Sequence, residues 1–239
     1  MTNFLEASWK NLIMANYAVE PELLLPYIPK GTELDFYNGK TFVSLVGFLF
    51  CNTRIFNIPI PYFGTFEEVN LRFYVKRQQG NETKRGVVFI NEIVPNKIVA
   101  WLANYLYKEH YHSLPTKHQW EINNQVKRIE YQWKTGSEWN KINVEAEAIN
   151  TEILVASFEE FILEHYYGYT KINDITTEEY NVHHVRWMVN QVINYEIKCD
   201  FKDVYGLKFE FLNKVEPHSV FLAEGSAVSV KWERKGFQS

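Results

Sequence analysis

The chain has 239 residues and a formal net charge of −4, and 46% of its residues are hydrophobic and 16% aromatic. This composition is typical of a folded globular protein and excludes an intrinsically disordered chain. Because the charge is slightly acidic and mixed in sign, the electrostatic attraction on which nucleic-acid binding depends is missing, so nucleic acid is not expected as a partner.

No segment is typical of membrane insertion or of export. The longest apolar run, residues 43–51, is far shorter than the ~20 residues of a membrane helix, and residues 1–6 lack the pattern of a signal peptide. Cys51 and Cys199 form neither a metal-binding spacing nor a disulfide framework. We therefore expect a single cytosolic domain over residues 1–239, with no membrane partner.

The first quarter of the chain predicts mainly strands. Residues 9–17 are typical of a strand, and residues 20–25 of a short helix with proline in its first turn. Asn38-Gly39 predicts a hairpin turn that leads into a strand over residues 41–50. The two prolines in residues 58–64 indicate a loop rather than a central strand.

Residues 66–94 predict two neighbouring strands. Residues 68–75 alternate strictly between apolar and polar side chains, as expected for a strand with one core-facing side. After the turn residues 78–83, residues 86–94 are apolar at both parities, which is typical of a strand covered on both faces.

The rest of the chain predicts two helices among further strands. An apolar stripe over residues 96–106 predicts a helix that packs Ile98 and Trp101 on the sheet, and a capping box at Ser157 predicts a second helix ending at Gly168. Alternation over residues 128–148 indicates a half-exposed antiparallel hairpin, and short strands are predicted near 209–211, 219–222 and 228–232. The predicted fold class is therefore α+β, mostly antiparallel β, with few helices.

The polar face of residues 68–75 is the first candidate site. Glu68, Asn70, Arg72 and Tyr74 form either a solvated strand face or the lining of an enclosed pocket, where Arg72 could bind a ligand carboxylate through two hydrogen bonds. Asn91 and Glu92 interrupt a segment that should be buried. Burying the Glu92 carboxylate without a partner would cost free energy or raise its pKa. One of them is expected to meet Arg72, depending on the strand register.

The second candidate set, Lys108 to His112, follows the end of the helix predicted over residues 96–106. These residues form either a solvated helix end or part of a ligand site, with His110 and Tyr111 as the ligand-binding candidates. No zinc motif, nucleophile elbow or phosphate-binding glycine loop is present, so no metal and no cofactor are expected.

Several motifs closely resemble the YqjF-like family, a domain of unknown function. They lie at residues 9–12, 17–21, 66–75, 86–89, 165–169 and 179–182. That family is similar to the acetoacetate decarboxylase superfamily, and the resemblance implies a closed, cone-like β-barrel with a few peripheral helices.

The resemblance also implies roles for particular residues. In the decarboxylase, an aromatic-x-Glu segment supplies an active-site carboxylate, which here falls on Glu68. A Tyr-Pro-Lys-Lys segment supplies the Schiff-base lysine, and its counterpart at residues 107–110 lacks the proline and the paired lysines. Lys108, Glu109 or Tyr111 could stand at the lysine position, and a charged Lys108 beside Glu109 would be a poor nucleophile.

These observations predict a small-molecule ligand. We expect the chain to bind a carboxylate- or keto-acid-like molecule in the lumen of the barrel, with Glu68 and Lys108 as catalytic candidates and Asn70, Arg72, Glu92, His110 and Tyr111 as ligand-binding candidates. Acid–base catalysis, non-catalytic binding and Schiff-base decarboxylation all remain open, as does the oligomeric state.

Overall fold

The computed structural model describes residues 3–60, 63–107, 110–231 and 235–238, and most of them lie in strands. The strands are β1 (Asn3–Val19), β2 (Glu33–Leu34), β3 (Thr41–Ile55), β4 (Ile58–Pro59), β5 (Phe66–Gln79), β6 (Glu82–Val94), β7 (Tyr111–Ser113), β8 (Thr116–Ile122), β9 (Val126–Thr135), β10 (Glu138–Thr151), β11 (Tyr167–Lys171), β12 (Thr176–His184), β13 (Val189–Lys198), β14 (Ser219–Ala223), β15 (Ala227–Lys231) and β16 (Lys235–Gln238). The helices are α1 (Pro21–Leu24), α2 (Lys97–Tyr107), α3 (Phe158–Leu163) and α4 (Phe201–Tyr205), with 3₁₀ turns at Leu25–Tyr27 and Leu207–Lys214. None of the helices in these ranges has the length and apolar character needed to cross a membrane.

Hydrogen bonding closes part of the sheet into a ring of strands. The order around the ring is β1, β3, β5, β6, β11, β12 and β15, and β15 pairs back with β1. The pairs are antiparallel except for β6 with β11, and the short β7 also pairs with β6 in parallel. The prediction of a mostly antiparallel β protein with few helices is confirmed.

The remaining strands form a second layer outside the ring. β14, β13, β10, β9 and β8 extend from β1, and side chains of β9 and β10 pack on the outer faces of β1, β3 and β5. Tyr131 of β9 lies against Gly47 of β3, where a β-carbon would be only 3.0 Å from its ring, and its hydroxyl donates to the Asn11 carbonyl at 3.0 Å. The hydrophobic core therefore sits between the ring and this layer.

The two faces of β5 separate the core from the ring interior, as the alternation predicts. Val69, Leu71, Phe73 and Val75 are fully buried in the core between the layers. The polar residues of the opposite parity point into the ring, where α3 covers one side. The core face and the polar face of the predicted strand are thus both confirmed.

The predicted helices at residues 20–25 and 96–106 are confirmed as α1 and α2, but the packing of α2 and the length of the second long helix differ from the prediction. In α2, Ile98 and Trp101 are each 64% exposed and Ala100 is buried, so the predicted packing on the sheet fails at these two positions. The other stripe positions, Leu102, Tyr105 and Leu106, lie outside the described side chains. Ser157 caps α3 by accepting a hydrogen bond from the Glu160 amide at 3.2 Å, but α3 stops at Leu163, and Gly168 lies inside strand β11.

Two predicted strand contacts also change. Asn38 and Gly39 do form a turn with positive φ, yet it closes only a single bridge, and β2 pairs with β5. The segment around Phe209 is a 3₁₀ turn rather than a strand, because it packs Phe209 and Leu212 as a cap against the core.

Candidate functional site

A cavity of about 80 Å³ lies inside the ring of strands. Its walls are largely aromatic and aliphatic, with ionisable groups concentrated on β5, β6 and β7. An apolar enclosure with a few polar groups is the usual form of a small-molecule site. The polar lining residues are Glu68, Asn70, Arg72, Glu92, Tyr111, His165, Tyr167, Tyr180 and His184.

Glu68 is a buried carboxyl group on the floor of this cavity, with 3% exposure. The Asn70 side-chain amide donates to Glu68 Oε1 at 2.9 Å, and the Tyr111 hydroxyl lies 3.4 Å from Oε2. Burial raises the pKa of Glu68 to about 7, against the lowering effects of Asn70, Tyr111 and Arg72. The group can therefore both hold and release a proton near neutral pH, as an acid–base catalyst must.

Glu92 is a second buried carboxyl group in the same cavity, with 1% exposure. It lies opposite Asn70 in the β5–β6 register and beside Tyr111 in the β6–β7 register. Burial raises the pKa of Tyr111 well above its usual value, and the Glu68 and Glu92 carboxyls raise it further. Tyr111 therefore stays neutral and keeps its O–H as a hydrogen-bond donor between the two carboxyls.

Arg72 is the buried cation of the cavity, with 8% exposure. A bulge between β5 and β6 places Arg72 opposite Phe89, and Asn91 turns to the core side, where it donates to the Val204 carbonyl at 3.1 Å. No ion pair joins Arg72 to a carboxylate within the described ranges, and its buried Nε has no acceptor there. The prediction that Asn91 or Glu92 pairs with Arg72 is therefore wrong, because the register sets Asn91 opposite Leu71 on the core face and Glu92 opposite Asn70.

Of the remaining predicted site residues, Tyr111 lies in the cavity and His110 lies outside it. Tyr111 lines the cavity, as just described. His110 is exposed and lines a separate hollow with Tyr27 and Tyr169, because alternation along the chain turns it away from Tyr111. Lys108 lies outside the described residues, so its role as a catalytic group stays a prediction.

One buried polar pair was not predicted as part of the site. His165 lines the cavity with 1% side-chain exposure, and its Nε2 lies 3.3 Å from Asp35 Oδ2. Arg85 Nε donates to the same Asp35 oxygen at 2.7 Å. The only sequence signal was the position of His165 in the family motif 165–169, since a single histidine shows no periodicity.

Comparison with solved structures shows the class of fold. An acetoacetate decarboxylase-like enzyme from Sphingomonas wittichii RW1 matches with a TM-score of 0.66 and 9% identity, over 100% of this chain and 95% of that chain. The enduracididine biosynthesis enzyme MppR, complexed with pyruvate, matches with a TM-score of 0.64 and 10% identity, over 98% and 90%. Acetoacetate decarboxylase from Legionella pneumophila matches with a TM-score of 0.65 and 9% identity, over 99% and 88%. The chain therefore has an acetoacetate decarboxylase-like fold, and such low identity shows the fold alone.

Sequence comparison shows the family. The model of DUF2071, a family of uncharacterised conserved proteins, matches residues 6–227, so the chain belongs to that family. The uncharacterised protein YqjF of Bacillus subtilis (strain 168) is 36% identical over 69 residues, a match that spans 28% of this chain and 28% of YqjF. The resemblance to YqjF-like proteins is thereby confirmed.

Proposed function

We propose that the chain binds a small carboxylate-bearing molecule, such as a short keto acid, in the cavity inside the ring, with Arg72 binding the carboxylate. The observation that carries this proposal is the buried guanidinium of Arg72, which forms no ion pair with the described carboxylates and has an unused Nε donor. A buried charge without a partner is costly, and a ligand carboxylate would satisfy it through charge-assisted hydrogen bonds. The ligand would lie in the lumen of the cone-like barrel that the family resemblance predicts.

The size of the cavity supports a short ligand. About 80 Å³ is roughly half the volume of the engineered 150 Å³ cavity that holds benzene, so roughly three-carbon acids are the largest molecules expected without side-chain movement. The related fold of MppR has been solved with pyruvate bound. Pyruvate is therefore the first probe, and acetoacetate, which has one carbon more, tests the size limit.

Glu68 is the residue proposed for acid–base catalysis. Its pKa of about 7 suits proton removal from the carbon beside a carbonyl, and Tyr111 and Asn70 hold its carboxyl in place. Within the described ranges no lysine lines the cavity, so Schiff-base chemistry depends on Lys108 alone among the sequence candidates.

Binding is tested by calorimetry with pyruvate and acetoacetate, and with the neutral analogue pyruvamide. Arg72→Met is expected to weaken pyruvate binding by about 10- to 100-fold, because charge-assisted hydrogen bonds are lost. Arg128→Met is the matched control, since Arg128 is exposed and pairs with Glu145 outside the cavity. Equal binding of pyruvate and pyruvamide, or normal binding by Arg72→Met, would contradict the proposal.

Catalysis is tested separately by NMR of pyruvate in D₂O. Exchange of the methyl protons faster than in buffer, and lost in Glu68→Gln, is the result expected for a general base at Glu68. Binding without exchange would favour the alternative of a non-catalytic binding module.

A further inference from the structure

The contact between Asp35 and His165 determines which imidazole nitrogen of His165 carries the proton. Burial raises the pKa of Asp35, but hydrogen bonds from His165 and Arg85 outweigh it and lower the pKa to about 2, so the carboxyl is ionised. An ionised carboxylate only accepts hydrogen bonds. The proton on the His165 side of the 3.3 Å contact must therefore sit on Nε2.

The same arrangement leaves Nδ1 of His165 as a hydrogen-bond acceptor. Burial lowers the pKa of His165 to about 4, so the ring is neutral at pH 7 and carries one proton only. Nδ1 is buried, and it has no hydrogen-bond partner among the described residues. Tyr74 and Phe161 pack on the ring with centroid distances of 4.7 and 5.5 Å, so the ring is held firmly. Buried acceptors without a partner are rare in folded proteins, and one that lines a cavity indicates a ligand donor.

His165 and Arg72 both line the cavity and both lie against the Tyr74 ring. The guanidinium carbon of Arg72 lies 5.8 Å from the centroid of the Tyr74 ring, on which His165 also packs. The Arg72 charge also contributes to lowering the pKa of His165. Among the described residues that line the cavity, Trp9 Nε1 and Arg72 Nε are buried donors without a partner, and Asn70 Oδ1 and His165 Nδ1 are buried acceptors without one.

We propose that His165 Nδ1 accepts a hydrogen bond from a hydroxyl group of the ligand whose carboxylate binds Arg72. The ligand class is then a short hydroxy acid, because a keto group accepts hydrogen bonds and cannot donate one to Nδ1. Asp35 is a positioning residue, since it fixes the proton on Nε2. This inference rests on the proposed function, which supplies the carboxylate at Arg72.

The binding test compares lactate with pyruvate, which have the same number of non-hydrogen atoms. The wild-type protein is expected to bind one enantiomer of lactate about three- to tenfold more tightly than pyruvate, as the gain of one hydrogen bond implies. His165→Phe keeps an aromatic ring against Tyr74 and Phe161 and removes the acceptor, so the ratio of lactate affinity to pyruvate affinity should fall to about one. A preference that His165→Phe leaves unchanged, or no preference at all, would overturn the inference alone. Binding of neither acid would overturn the proposed function and the inference with it.

The tautomer is tested independently by ¹⁵N NMR of the histidine rings in the wild-type protein. The expected spectrum shows the proton on Nε2 of His165 at pH 7, and an upfield shift of Nδ1 on addition of lactate but not of pyruvate. Asp35→Asn should reduce the population of the Nε2–H tautomer, because an amide can also donate. A proton on Nδ1 in the wild-type protein would overturn the inference, even if His165→Phe fails to fold.

Discussion

Replacing Arg72 should change stability in the direction opposite to that expected for a partner in a buried ion pair. If Arg72 paired with a carboxylate, its loss would cost about 3 kcal/mol or more. In the structure its Nε is buried without an acceptor in the described ranges, a state that costs about 1–3 kcal/mol. Its contact with the Tyr74 ring, at 5.8 Å, contributes about 0.5–1 kcal/mol in return. Arg72→Met, which keeps most of the apolar stem, should therefore leave the free energy of unfolding unchanged or raise it by up to about 2 kcal/mol.

The assay is urea unfolding at pH 6, followed by tryptophan fluorescence, for the protein without ligand. Arg85→Met is the matched control, because Arg85 Nε donates to Asp35 at 2.7 Å and its loss leaves a buried carboxylate with only the neutral His165. This control should lose about 3 kcal/mol, or somewhat less because the Arg85 side chain is 31% exposed. A loss of about 2 kcal/mol or more in Arg72→Met, with an unchanged m value, would show that the protein itself satisfies this charge and would remove the main support for the proposed anion site.

Three more experiments probe the cavity and its walls. Because burial raises the pKa of Glu68 from 4.5 to about 7, the folded state binds its proton more tightly, and stability should fall as pH rises from 4.5 to 7. Relative to Glu68→Gln, the wild type should lose up to about 3 kcal/mol between pH 5 and pH 8 in urea unfolding, and a constant difference would contradict the raised pKa. Gly168→Ala should lower the free energy of unfolding by at least about 2 kcal/mol, because a β-carbon would overlap the Tyr180 ring. The control Gly136→Ala meets no atom within 4 Å and should cost about 1 kcal/mol through its positive φ alone. Equal losses would refute the packing argument. Incubation with acetoacetate and borohydride should give no reduced adduct by mass spectrometry, because residues 107–110 lack the paired lysines that the family resemblance implies for Schiff-base chemistry. Stoichiometric labelling lost in Lys108→Met would favour the decarboxylase instead.

The part of the site that could be predicted is the part that one strand encodes locally. In β5, alternate residues must face opposite sides, and one apolar parity already fixes which side is core. The alternation alone therefore predicts that Glu68, Asn70 and Arg72 share the opposite side, and all three line the cavity inside the ring. Local periodicity does not depend on the identity of the neighbouring strands, which is why this prediction is confirmed.

The part that failed depends on contacts between distant segments. The register of β5 with β6 sets Asn91 and Glu92 opposite Leu71 and Asn70, and residues 66–94 carry no signal that fixes this register. Asp35 and His165 are 130 residues apart, so no spacing rule connects them. The α2 prediction fails at Ile98 and Trp101 for a similar reason, because an apolar stripe shows that a helix face can be buried but not which of its residues meet the neighbouring layer.

The treatment of buried charge elsewhere in the chain strengthens the case for Arg72 as a ligand-binding residue. Glu179 is also buried, and its carboxylate forms ion pairs with Lys84 Nζ at 2.7 Å and with the Arg77 guanidinium at 2.8 Å. These two cations lower the pKa of Glu179 although burial raises it. The same fold therefore pairs a buried carboxylate with two cations where only stability is at stake. Inside the cavity it instead leaves a guanidinium without an ion pair in the described ranges, close to a Glu68 carboxyl whose pKa is raised. Apolar residues of similar volume would be more stable at these positions, and such a cost is expected where binding or catalysis, rather than folding, determines the residue.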